Sequence, residues 1–270
     1  MLIRLATLLL ESSPLLRRVL WRWWYGRLAK RHTDAGWTFM NYGFAPAEGS
    51  QLALEAADEP DRLCIQLYHR VVSATALKGK TVLEVGSGRG GGASFVARYH
   101  EPASMTGVDF SEQAVALSTR RHAAVENLRF TVGDAEELPF PAASFDAVIN
   151  VESSHCYGHI EKFFSEVARV LRPGGWFLYT DFRGAAEMKT LHATLAAQHG
   201  LERIAREDIT GDVAAALEAD DERKRRLIHE NIPPRFQQLF GEFAGLSGGQ
   251  MHRGFCNRDL VYHRFAFRRT

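Results

Sequence analysis

Five glycines fall within the seven residues Gly86-Ser87-Gly88-Arg89-Gly90-Gly91-Gly92, directly after the apolar stretch Thr81–Val85. A buried strand that empties into such a turn lets the backbone bend sharply and approach a ligand closely. Downstream, short apolar strands alternate with helical patterns, the signature of parallel β-α-β units. Strands are expected at 81–85, 104–109, 128–132, 145–151 and 176–181. Helices are expected at 92–100, after the N-cap residue Ser111, and at 160–171, where Arg172-Pro173-Gly174-Gly175 turns the chain. Beyond that lie expected helices at 187–199, 211–230 and 234–244 and strands near 201–209 and 259–268. The expectation is an α/β fold with one doubly wound, mostly parallel, seven-stranded sheet. Residues 1–75 read as an N-terminal helical cap, 76–270 as the core, and the helices near 187–245 as an insertion covering a substrate.

Thirty-three basic and 32 acidic residues nearly cancel, which argues against a nucleic-acid partner. Cys64, Cys156 and Cys256 are widely separated and show neither a disulfide framework nor paired zinc-ligand spacing, so no metal is expected and a reducing cytoplasm fits. The apolar run near the N-terminus is too short to span a bilayer. Residues 14–31 interleave Arg17, Arg18, Arg22, Arg27, Lys30 and Arg31 with Trp21, Trp23 and Trp24. An amphipathic helix packed on the domain is the first reading of this segment, and peripheral contact with a membrane interface is the second.

Gly86, Gly88 and Gly91 also satisfy the dinucleotide pattern G-x-G-x-x-G, so a nicotinamide cofactor has to be weighed. Glu84 argues against it: a carboxylate two residues before the first glycine repels a pyrophosphate and suits an ammonium group. Asp109, ending the second strand, can accept from ribose hydroxyls in either case. Asp134 and Ala135, in the segment Gly-Asp-Ala-Glu-Glu-Leu-Pro-Phe after the third strand, can read an adenine edge through a carboxylate and a backbone N–H.

With Leu171-Arg172-Pro173-Gly174-Gly175, these blocks resemble the Rossmann-like class I methyltransferases that use S-adenosylmethionine, over about residues 60–182. The resemblance implies that Glu84, Gly86 and Gly88 hold the methionine end of the cofactor and Asp109 its ribose. Phe110 would pack on adenine, Asp134 and Ala135 would read its edge, and Asn150 would contribute through its backbone near the sulfonium.

Methyl transfer needs an aligned nucleophile in a dry site and, for a hydroxyl, a proton acceptor. The stretch after the fourth strand, Asn150-Val151-Glu152-Ser153-Ser154-His155-Cys156-Tyr157, offers His155 as the leading base, with Glu152 orienting it or the substrate. Cys156 reads as an inert thiol and His159 as structural. Tyr42, Tyr68, Asp181 and Arg183 are further wall candidates, each also explicable by packing or an ion pair.

That stretch is similar to the phthiotriolone/phenolphthiotriolone dimycocerosates O-methyltransferases of mycobacteria, as are residues 54–62, Leu67-Tyr68-His69-Arg70 and Gly90-Gly91-Gly92-Ala93-Ser94. The likeness implies O-methylation of a hydroxyl on a lipid or polyketide-like molecule. The same stretch also resembles the sterol and tocopherol C-methyltransferases, where Glu-Ala-Thr-Cys-His stands in its place. Carbon methylation is therefore the alternative chemistry, with Glu152 steadying a carbocation. A methyltransferase-like protein that binds the cofactor without catalysis is the rival from a different class.

Overall fold

The computed structural model describes residues 37–47 and 52–270; the tryptophan–arginine segment 14–31 lies outside the described residues. The elements run α1 (Arg62–Val72), β1 (Thr81–Val85), α2 (Gly91–Tyr99), β2 (Ser104–Asp109), α3 (Glu112–Arg121), β3 (Leu128–Val132) and β4 (Phe145–Val151). They continue with α4 (Ile160–Val170), β5 (Leu171–Gly184), α5 (Ala185–Ala197), β6 (Leu201–Asp208), α6 (Thr210–Ala219), α7 (Asp221–Asn231), α8 (Pro234–Ala244), α9 (Gln250–Cys256) and β7 (Leu260–Arg269). The strands form one seven-stranded sheet in the order β3-β2-β1-β4-β5-β7-β6. β1 to β5 pair in parallel, whereas β7 is antiparallel to both β5 and β6.

Consecutive strand residues face opposite sides of a sheet, so a sheet covered on both faces needs apolar residues at every position. The central strands obey this. Val82, Ala147, Ile149 and Leu178 enter one core together with Ile65 and Leu67 of α1 and Phe95 of α2. Their neighbours Leu83, Val148, Phe177 and Tyr179 enter the other core with Phe163 and Phe164 of α4. Across the β5–β7 ladder, Phe177 faces Phe267 at 5.8 Å and Tyr179 faces Phe265 at 5.5 Å, both stacked. All four rings are essentially inaccessible to water, and truncating one such phenylalanine to alanine costs about 3–5 kcal/mol. This aromatic ladder makes β5 and β7 a rigid floor beneath the strand ends that carry the site.

Ser111 caps α3 as expected, its hydroxyl accepting from Ala114 N–H at 3.3 Å. Two boundaries differ from the sequence reading. The expected helix over 211–230 is two helices, broken at Asp220, whose carboxylate turns back to accept from Arg223 at 2.6 Å. Arg172-Pro173-Gly174-Gly175 stops α4 but stays within β5 as an irregularity: Phe145 pairs Leu171, whereas Ala147 pairs Trp176. Gly174 absorbs the extra residues at φ +74°. Among the described residues, no helix is long and apolar enough to cross a membrane.

Candidate active site

The carboxyl ends of β1, β2 and β4 open into a cleft roofed by Thr38, Phe39, Met40 and Asn41. The glycine turn forms its floor. Gly86 N–H and Ser87 N–H both donate to Val108 O, at 2.8 and 3.1 Å, which ties the turn to β2. Gly86 (φ +76°) has no room for a side chain, since a Cβ there would lie 2.4 Å from Ser153 Oγ. Gly88 (φ +52°) differs: nothing lies within 4 Å of where its Cβ would be. One glycine admits the loop to the protein, and the other leaves the cleft open.

Asp109 lines this cleft and a smaller adjoining one that also contains Asp134 and Ala135; Gly86, Phe110 and Tyr157 belong to both. The Asp109 carboxylate accepts from Gly88 N–H (2.9 Å) through Oδ2 and from Ser111 N–H (2.9 Å) through Oδ1. It therefore shapes the loop from inside, and each oxygen keeps a further lone pair for a ligand. Burial raises its pKa, against the pull of those two amides. Asp134 Oδ1 accepts from Glu136 N–H at 3.0 Å, forming a tight turn that presents Ala135 to the smaller cleft.

Glu84 does not line the cleft. It is 1% exposed and lies one layer beneath, its Oε1 accepting from Tyr68 Oη at 2.6 Å. Tyr68 itself is part of the cleft wall. Burial pushes the Glu84 acid up to about 8, partly offset by the Tyr68 hydrogen bond. Its Oε2 is buried without a hydrogen-bond partner. An orphaned buried carboxylate oxygen beside a glycine turn is a cation acceptor in waiting, because such a group is costly until satisfied. The donor set thus suits a ligand with an ammonium at one end and a hydroxyl-bearing adenosine at the other.

Asn150 is fully buried, with Nδ2 donating to Val85 O (2.9 Å), Ser153 Oγ (2.7 Å) and Tyr157 Oη (3.0 Å). Its side chain stitches β4 to β1.

At the next residue but one, Glu152 takes a left-handed conformation, φ +46°, and enters the cleft wall. Non-glycine residues held there carry strain, and such strain gathers at functional sites. Glu152 Oε1 accepts both from Tyr42 N–H and from Tyr262 Oη, each at 2.8 Å. Burial raises the Glu152 acid to about 7, despite those two donors. His155 does not line the cleft. It stands beside Glu152, its ring 4.7 Å from that of Phe182 and its Nδ1 2.9 Å from Asp181 Oδ1. Asp181 is fully buried and also pairs with Arg183 at 3.1 Å and accepts from Ser154 Oγ at 2.5 Å. Burial works against the Asp181 carboxylate, yet Arg183 and His155 overrule it and hold its pKa well below the usual range. Burial likewise opposes the imidazolium, but Cys156 and Asp181 push His155 up to about 10.

Tyr262 and Tyr157 were not singled out in the sequence. Tyr262 meets Glu152 across 110 positions, and no local pattern announces such a pairing. Tyr42 and Tyr68 stood out in the cap, and the fold gives each a defined hydrogen bond at the site.

A family profile described as "methyltransferase domain" matches residues 83–179. The chain is 39% identical over 256 residues to the phthiotriol/phenolphthiotriol dimycocerosates methyltransferase of Mycobacterium tuberculosis, covering 95% of this chain and 94% of that protein. It is 42% identical over 209 residues to a fatty-acid O-methyltransferase of Mycolicibacterium smegmatis, covering 77% and 76%. Among solved structures, geranyl diphosphate C-methyltransferase from Streptomyces coelicolor, in complex with S-adenosyl-L-homocysteine, superposes with a TM-score of 0.65 at 17% identity, over 96% of this chain and 99% of that one. The [4+2]-cyclase SpnF gives a TM-score of 0.66 at 21% identity, over 92% and 95%. The cleft, the sheet order and these likenesses agree: the chain is an S-adenosylmethionine-dependent methyltransferase and belongs to the phthiotriol/phenolphthiotriol dimycocerosates methyltransferase family.

Proposed function

We propose that the protein transfers a methyl group from S-adenosylmethionine to a hydroxyl of a lipid or polyketide-like molecule. The cofactor supplies the activated methyl; the chain's residues bind, orient and keep the site dry. Glu84, Gly86 and Gly88 would hold the methionine end and Asp109 the ribose. Phe110, Asp134 and Ala135 would frame the adenine, and Asn150 would set the β4 backbone beside the sulfonium. Residues 1–75 would act in this reading as a cap, of which Thr38–Asn41 roof the cleft; of the helices near 187–245, α7 and α8 line the substrate cavity, whereas α5 packs against the sheet.

One observation carries the substrate class. A second cavity shares Phe39, Met40, Asn41 and Arg89 with the cofactor cleft and is walled by Trp37, Tyr42, Phe240 and Phe243, with Arg223 and Lys224 adding charge at one side. An aromatic chamber opening beside the methyl donor fits an apolar chain whose hydroxyl reaches Glu152. The substrates named for the two mycobacterial relatives, phthiotriol and phenolphthiotriol dimycocerosates and a fatty acid, support a lipid of this kind.

Glu152 is the proton acceptor in this reading. It lines the cleft, and a pKa of about 7 matches a base working near neutrality. Tyr42 and Tyr262 occupy one oxygen and leave the other for the hydroxyl. His155, charged beside Asp181, orients the segment and favours the ionised Glu152, the form that accepts the hydroxyl proton. Carbon methylation is the second reading, favoured by the same buried carboxylate, which Tyr42 N–H and Tyr262 Oη hold in the cleft wall where it could steady a cation. Incubation with methyl-labelled cofactor and host lipid extract, followed by mass spectrometry, tests both readings. A labelled methyl ether or ester supports O-methylation, a carbon-bound label supports the second reading, and no labelled lipid refutes both.

A further inference from the structure

We infer that Glu218, His252 and Cys256 form a surface site for a thiophilic divalent cation of the zinc type. His252 and Cys256 stand four residues apart on α9, hence on one face of that helix. Glu218 comes from the last turn of α6. His252 Nε2 lies 3.1 Å from Glu218 Oε1 and 3.6 Å from Cys256 Sγ. Single donor atoms from all three residues fall within 4.8 Å of one another.

The sulfur–nitrogen and oxygen–nitrogen spacings are those of a coordination tetrahedron; Sγ also lies 4.0 Å from Nδ1, so the exposed thiol has to rotate from beside the ring to meet a cation on Nε2. Zinc–sulfur and zinc–nitrogen bonds of about 2.3 and 2.0 Å at tetrahedral angles place sulfur and nitrogen about 3.5 Å apart, and nitrogen and oxygen about 3.3 Å apart. The carboxylate meets Nε2, and the thiol lies nearer to Nε2 than to Nδ1, at 3.6 against 4.0 Å. A catalytic relay would place them on opposite nitrogens, whereas a shared cation brings them together. A sulfur–nitrogen–oxygen donor set favours zinc over calcium or magnesium, with water completing the fourth position.

Cation binding releases the Cys256 thiol proton to solvent and places the single proton of the neutral His252 ring on Nδ1. Nδ1 accepts from Gly248 N–H at 3.2 Å, so loading also breaks that long bond. Gly248 sits at φ +80° in an exposed turn, where a glycine backbone can rotate.

The site would reinforce the hydrogen bond between His252 and Glu218 that already links α9 to α6. Next to the exposed Cys256, Phe255 turns inward and is buried, its ring centroid 5.6 Å from that of Tyr42 and 5.8 Å from that of Phe182. Tyr42 in turn holds Glu152. Clamping α9 to α6 therefore fixes the outer support of the substrate wall without touching the cleft.

Cobalt(II) titration of the full-length chain tests the site, since a thiolate ligand gives a near-ultraviolet charge-transfer band and tetrahedral cobalt absorbs in the visible. One equivalent should develop both bands, and zinc should bleach them. Cys256→Ser should remove the charge-transfer band, and His252→Gln should weaken zinc binding at least about tenfold. Saturating zinc should raise the melting temperature of the native chain but not that of the double variant. Glu218→Gln alters a largely exposed side chain and serves if either α9 variant fails to fold; it should also weaken zinc. Absence of the charge-transfer band, or equal zinc affinity in native and substituted chains, overturns the site.

Discussion

The two halves of the cleft bind by different physics. On the β1–β2–β3 side the ligand-facing surface is mostly backbone: a glycine turn, the amides that Asp109 pins, and the short turn at Asp134. On the β4–β5 side Glu152 stands in the wall and is backed by buried ionisable side chains, with Glu152, His155, Asp181 and Arg183 in contact with tyrosine hydroxyls or one another. A backbone cradle recognises one fixed cofactor shape. Buried charges, whose protonation depends on surroundings, are suited to moving a proton at a defined atom. The first half is therefore organised for recognition and the second for chemistry.

Substitutions on the two sides should separate these roles. The largest effect is expected at Glu152→Gln, which removes the proton acceptor while preserving shape. Turnover should fall about 10²–10⁴-fold with cofactor affinity unchanged, checked by single-turnover kinetics and calorimetry. The pH profile identifies the base: with Glu152 in that role, kcat rises with pH through about 7 and then levels off. If His155 is the acceptor, its raised pKa means that the profile keeps climbing towards about 10, and His155→Ala abolishes the rise.

Next comes Asp109→Ala, on the recognition side. It removes ribose contacts and releases Gly88 and Ser111, so cofactor binding should weaken on the order of 100-fold. Unchanged affinity by calorimetry would remove Asp109 from the cradle.

Smaller still is a pH dependence of cofactor affinity. Glu84 is protonated below about 8 in the free protein, and an ammonium favours its ionised form. Affinity should therefore rise by up to about tenfold per pH unit as pH increases towards that value, with one proton released on binding. Glu84→Gln should flatten the rise; a persistent slope would place the titrating group elsewhere.

The smallest effect is expected at Tyr262→Phe, which deletes one of the two donors on Glu152. Losing one such bond is worth about 1 kcal/mol, or about fivefold in kcat, with cofactor affinity unaffected. A matching loss of cofactor affinity would show that the two halves are not separate.

Neighbours along the chain govern the part of the molecule that can be read before it folds. The glycine turn was legible because only glycine tolerates the positive φ and close contact at Gly86. The strands were legible because a sheet covered on both faces demands unbroken apolar runs, and the acids at the strand ends because the sheet order sets where those ends lie. The tertiary structure decided what depends on distant segments meeting. Pairing of Leu171 and Trp176 with β4 kept Arg172-Pro173-Gly174-Gly175 inside β5, where local rules read a turn. The same folding put Glu84 beneath Tyr68, joined Glu152 to Tyr262 across 110 positions, and brought Glu218 to His252 across 34. Local propensity acts over a few residues and carries no record of such encounters. Whether an acid rests charged, neutral or poised between the two follows from burial and partners that exist only once the chain has closed on itself.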